Sequence, residues 1–130
     1  MQTSQASQIV GIRTVGIPVT DQERALRFYV DVLGLDTRVD RPLGNGARWI
    51  EVGPAQASVT LALEPARGDA PAGVETGIRL VTLDADAENA RLKSHGVEVG
   101  EVLRWPGVPP MFMFRDQDGN RLEIVQQAGS

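Results

Sequence analysis

Cysteine is absent from the 130 residues, which excludes disulfides, thiolate metal sites and thiol nucleophiles. Histidine occurs once, as His95, so no histidine pair is available to a metal ion. Lys and Arg number 13 against 17 Asp and Glu, a net charge of −4. No basic surface therefore offers itself to phosphates, and nucleic acid is not an expected partner. No apolar run approaches the ~20 residues that cross a bilayer, so no membrane role is expected. The opening MQTSQASQ lacks the basic start and apolar stretch of a secretory signal. Residues 1–11 read as a mobile lead-in, and the expected compartment is the cytoplasm. What remains, 42% hydrophobic and 23% charged residues, suits one globular domain with an ordinary core.

The chain then alternates from Ile12 to Val19, with Val15, Ile17 and Val19 on one face, the pattern of a half-buried strand. Thr20-Asp21-Gln22-Glu23 has the spacing of a capping box, with Thr20 as cap and Glu23 reaching back. The helix it opens carries Ala25, Phe28, Tyr29, Val32 and Leu33 at helical spacing and stops at Gly34. Strand-like runs follow at residues 35–41, 47–52 and 58–64, separated by Gly44-Asn45-Gly46 and Gly53-Pro54. Residues 65–75, rich in Pro, Ala and Gly, read as a linker.

After the linker the order restarts: a strand at 76–83, a helix at 84–95 stopped by Gly96, and strands at 97–104, 111–114 and 120–126. Asp116-Gln117-Asp118-Gly119 reads as the last hairpin turn and nothing more. The halves superimpose at a constant offset of 63 residues: Thr14 falls on Gly77, Val15 on Ile78, Ile17 on Leu80 and Asp21 on Asp84. Such self-similarity marks a duplicated unit. The expected fold class is α+β, with two βαβββ modules (residues 12–64 and 76–127) forming a curved mixed sheet around a cavity.

The stretch Val15-Gly-Ile-Pro-Val-Thr-Asp21, running on through Ala25-Leu-Arg-Phe-Tyr29 to Val32-Leu-Gly-Leu35, resembles the opening module of the vicinal-oxygen-chelate superfamily. This superfamily comprises glyoxalases, bleomycin-resistance proteins and extradiol dioxygenases. Phe114-Arg-Asp-Gln-Asp-Gly-Asn-Arg-Leu-Glu-Ile124 is similar to its closing hairpin. The resemblance implies a cavity, often with a divalent metal held by four His or Glu residues. Carried over one at a time, those four positions fall on Thr14, Thr60, Gly77 and Glu123. Three of them cannot serve, and one carboxylate does not hold a catalytic divalent ion. No metal or other cofactor is expected. His95, at a helix end before Gly96, reads as a solvated residue favourable to the helix dipole.

The cavity-facing phase of the strands places Thr14, Gly16, Trp49, Glu51, Thr60, Ala62, Arg79, Val81, Glu123 and Val125 together, while Val59, Leu61 and Leu63 should face the helices. Arg79 and Glu123 fall on neighbouring strands, as an inward ion pair or as groups that orient a polar ligand. Glu123 is the candidate general base. Trp105 opens a Pro-rich loop followed by Met111 and Met113, either a lid over an apolar cavity or core filling. The leading expectation is a metal-independent protein that sequesters a small, partly aromatic molecule, working as a homodimer. The alternatives are a glyoxalase-like or dioxygenase-like enzyme with an unusual ligand set, and a dimeric interaction module without ligand.

Overall fold

The computed structural model describes residues 6–128; the first five residues of the expected lead-in lie outside them. The strands form two sheets, in keeping with the expected fold class. β1 (Thr14–Val19), β2 (Asp36–Pro42), β3 (Arg48–Gly53) and β4 (Thr60–Pro65) make the first, in the order β1-β4-β3-β2. β5 (Glu75–Thr82), β6 (Met111–Arg115) and β7 (Arg121–Gln126) make the second, in the order β5-β7-β6. α1 (Gln22–Arg27) runs on into a π-helical turn at Phe28–Val32, and α2 (Ala85–Ser94) follows β5.

One core joins all of these elements except β2. Ile17, Ile50, Val52 and Leu63 of the first sheet, Tyr29 and Leu92 of the helical segments, and Phe112, Phe114, Leu122 and Ile124 of the second sheet belong to a single buried cluster. The Phe28 and Phe114 rings stack with centroids 6.4 Å apart, tying the π-helical turn to β6. The Arg91 guanidinium donates to the carbonyls of Val32 and Leu33, tying α2 to the end of that turn. Because one face of each sheet lies on this shared core, the other faces point away from it.

Several local expectations are corrected. Asp21, not Thr20, caps α1, accepting from the Arg24 amide. Thr20 instead donates its amide and hydroxyl to Asp118, and Glu23 turns to Arg48 rather than back to the cap. Val59 precedes β4 and is 40% exposed instead of facing the helices. Residues 97–104 form no regular strand: Val99 bridges Phe114 and Leu103 bridges Met111. That is four steps along one segment against three along the other, and the surplus residue breaks the ladder as a bulge does.

The turn at residues 116–119 proves to be more than a hairpin end. Asn120 is fully buried. Its amide nitrogen donates to the Pro18 carbonyl at 2.8 Å and to Asp116 at 2.9 Å, and its amide oxygen accepts from the Gly73 and Val74 N–H groups. The Tyr29 hydroxyl donates to Asp116 at 2.7 Å. Burial, together with the Asp116 charge beside it, holds the Tyr29 phenol well above its ordinary range, so it stays a donor.

Candidate functional site

On the first sheet the outward phase gathers a continuous polar cluster. β1 and β4 run parallel with Thr14 opposite Thr60, and the Thr14 hydroxyl donates to the Thr60 carbonyl at 3.2 Å. The Thr60 hydroxyl donates to Glu51 Oε1 at 2.7 Å, while Trp49 Nε1 and Arg13 Nε donate to Glu51 Oε2 at 2.8 and 3.2 Å. Glu51 is 2% exposed. Burial pushes its carboxyl up, but the bonds from Thr60, Trp49 and Arg13 outweigh that and hold it below the usual range. The Trp49 ring is thereby fixed in orientation on the outer face.

On the second sheet Glu123 lies opposite Arg79 on β5 and opposite Met113 on β6. Arg79 Nε donates to Glu123 Oε1 at 2.9 Å, and Arg121 stands 3.5 Å from the other carboxylate oxygen. The expected neighbourhood of Arg79 and Glu123 is therefore present. Gly77 is not opposite Glu123, because four steps along β5 (Glu75 to Arg79) match two along β7 (Arg121 to Glu123). Gly77 sits within that bulge at φ +73°, a conformation that suits glycine. Met111 and Met113 are partly buried, and Trp105, 60% exposed, stands on its loop.

The residues singled out from the sequence thus fall into two half-sites. Thr14, Trp49, Glu51 and Thr60 sit on one sheet; Arg79, Met111, Met113 and Glu123 sit on the other, with Trp105 on the loop before β6. Within one chain only Thr60 of the first set and Arg79 of the second line a common hollow. That cleft, of about 890 Å³, lies between β5 on one side and Val15, the β3–β4 turn and the start of β4 on the other. Its wall includes core-phase residues, among them Val15, Val52, Leu61, Ile78, Leu80 and Ile124. Of the residues expected at the site or facing the cavity, Thr60, Gly77, Arg79 and Val81 reach it.

The donor set does not suit a divalent metal. Thr14, Thr60 and Gly77 offer no charged or imidazole ligand, and Glu123 is already neutralised by two guanidinium groups. Among the described residues no three His, Cys, Asp or Glu side chains converge as a metal site. His95 caps α2, its Nδ1 2.9 Å from the Arg91 carbonyl.

Acid should weaken the fold through these carboxylates. Asp118 behaves as Glu51 does: burial raises it, but the Thr20 hydroxyl and amide and the Gln117 side chain outweigh burial and depress it. A group whose folded pKa lies below its unfolded value, about 3.9 for Asp and 4.3 for Glu, stabilises fully above that value and loses its contribution as pH falls through the folded pKa. The urea midpoint should therefore fall steadily below about pH 4.5. In Asp118→Asn and Glu51→Gln the midpoint should be lower at pH 7 and should fall less steeply on acidification. An unchanged slope in both variants would contradict the assignment.

Residues 11–124 match the model of the Glyoxalase/Bleomycin resistance protein/Dioxygenase superfamily. The uncharacterized protein YetH of Bacillus subtilis (strain 168) is 32% identical over 113 residues, covering 84% of this chain and 92% of YetH. TnmS3, an antibiotic binding protein from Streptomyces sp. CB03234, superimposes with a TM-score of 0.84 at 35% identity, covering 95% of this chain and all of that one. A glyoxalase/bleomycin resistance protein from the same Streptomyces strain superimposes with a TM-score of 0.78 at 37% identity, covering 89% of this chain and all of that one. With the duplicated strand order, the closing hairpin and this full-length match together, the chain belongs to the glyoxalase/bleomycin resistance protein/dioxygenase superfamily.

Proposed function

We propose that this protein binds a small, flat, largely apolar molecule without chemical change and without a metal, in a groove that two copies of the chain build together. The observation that carries the binding reading is Trp49. Its indole is held by Glu51 on an outward sheet face, so a rigid aromatic surface stands ready for stacking at little entropic cost. Met111 and Met113 on the other outward face supply adaptable apolar contact. The 35% identity to an antibiotic-binding protein over nearly the whole chain agrees with this use of the fold.

The homodimer rests on the edges. β2, an edge strand, is blunted by Asp36, Arg38, Asp40 and Arg41. The β1 and β5 edges have no strand neighbour among the described residues. Val81 is 68% and Leu83 82% exposed at the end of β5, and Ile9, Val10 and Ile12 are exposed just ahead of β1. Laying β1 antiparallel to the partner's β5 sets the start of one beside the end of the other. It covers these apolar side chains, closes the cleft over the core, and faces the first sheet of one copy with the second sheet of the other. A cytoplasmic setting completes the reading.

The test uses N-phenyl-1-naphthylamine, an uncharged aromatic probe whose emission rises in apolar sites. Saturable binding with micromolar Kd, one probe per groove, is expected, and Trp49→Ala should weaken it about tenfold. Absence of saturable binding would leave a dimeric interaction module as the better account.

A further inference from the structure

Resting on that groove reading, we infer that the ligand carries anionic oxygens, and that Arg13 on one half-site and Arg79 on the other hold them. The argument comes from how arginines are used across this chain. Two arginines that secure the fold are gripped at two points. Arg48 meets Asp40 through Nε and Nη2 at 3.1 and 2.7 Å. Arg91 meets Glu88 the same way, at 3.0 and 2.6 Å. Arg13 and Arg79 differ. Each is held by Nε alone, on Glu51 Oε2 and Glu123 Oε1 respectively. Among the described residues their Nη atoms meet no acceptor.

The anchoring carboxylates are sunk in the sheet surface, with side chains 3% and 21% exposed, while the guanidinium groups are 73% and 63% exposed. Each arginine is thus fixed at its root with its outer donors free, which is what bidentate capture of a carboxylate, sulfonate or phenolate needs. Arg27, Arg67 and Arg104 are also held at one point, but their partners Glu23, Asp69 and Asp86 are themselves mostly exposed, and Arg24 rests on the Gln117 carbonyl rather than on a carboxylate. Arg41, across the strand from Trp49, adds to the same outward face another guanidinium with no ion-pair partner among the described residues. Glu64 and Asp36 are acids on that face without a cation among the described residues; the Glu64 carboxylate lies over Gly16, two residues along β1 from Thr14. The chain's charge of −4 opposes anions in general, so any anion preference must arise locally.

The experiment compares two probes with one ring system: 1-anilinonaphthalene-8-sulfonate, which is anionic, and N-phenyl-1-naphthylamine, which is neutral. The full-length protein should bind the sulfonate about tenfold more tightly. Arg13→Met and Arg79→Met should each remove much of that preference, read as the ratio of the two affinities in the same variant, and the double variant all of it, while the circular dichroism spectrum stays unchanged. Arg→Lys at either position should fall between, since it keeps charge and loses the fork. Equal binding of the two probes, or a preference that survives in the double variant, overturns the inference and leaves the binding reading standing. Failure of both probes to bind removes the reading and the inference with it.

Discussion

Asn120→Leu should lower the unfolding temperature by about 15 °C, corresponding to roughly 4 kcal/mol at this chain length. The substitution keeps the side-chain shape and removes only its polar atoms. It strands the Gly73 and Val74 N–H groups and the Pro18 carbonyl, all of which Asn120 satisfies. Asp116 keeps the Tyr29 hydroxyl and loses the amide donor. An unsatisfied buried group costs about 1–3 kcal/mol, and three are created at once. Asn120→Asp should also be costly, because it sets a second carboxylate beside Asp116 and removes the donor to Pro18. Thermal unfolding followed by circular dichroism measures both. A shift of only a few degrees in Asn120→Leu would mean that the partners find water or each other.

Val81→Glu and Leu83→Glu should convert a dimer into a monomer. In the isolated chain both side chains are mostly exposed, and a charge there should alter intrinsic stability by no more than about 0.5 kcal/mol. At a twofold interface each substitution places a carboxylate from both copies against the apolar Ile9, Val10 and Ile12 of the other copy. Light scattering behind a sizing column should give roughly twice 14.0 kDa for the parent protein and 14.0 kDa for the variants. The variants should also lose the dependence of melting temperature on protein concentration that a dimer shows. Unchanged masses would place the interface elsewhere and leave the cleft between β1 and β5 open in solution.

Much of this architecture is written in local pattern. Alternation around Val15, Ile17 and Val19 locates β1, the Asp84 position opens α2, and Gly34 and Gly96 stop their helical segments with positive φ. Cross-strand geometry is legible too where the repeat is regular, as for Thr14 with Thr60, and alternation alone puts Arg79 and Glu123 on one face although the bulge shifts their register from that of the repeat. The pattern fails where a residue is inserted. The surplus residue between Val99 and Leu103 and the bulge at Gly77 leave hydrophobicity unchanged while shifting every later pairing. It fails again for Thr20 and the turn at 116–119, whose partners lie across the fold. Alternation assigns Glu51 and Trp49 to the outward face. It says nothing about which neighbours cover them, or whether one chain can bring the two outward faces together.

The clasp around Asn120 also dictates how the chain comes to be folded. Pro18 and Thr20 meet their partners only 102 and 98 residues later, at Asn120 and Asp118. During synthesis the N-terminal half therefore waits, with the Tyr29 hydroxyl and the Pro18 carbonyl unengaged, until residues 116–120 have left the ribosome. Closing so long a loop before its reward is collected places folding in the slow, high-contact-order class. In that waiting interval the nascent chain is most open to capture by chaperones.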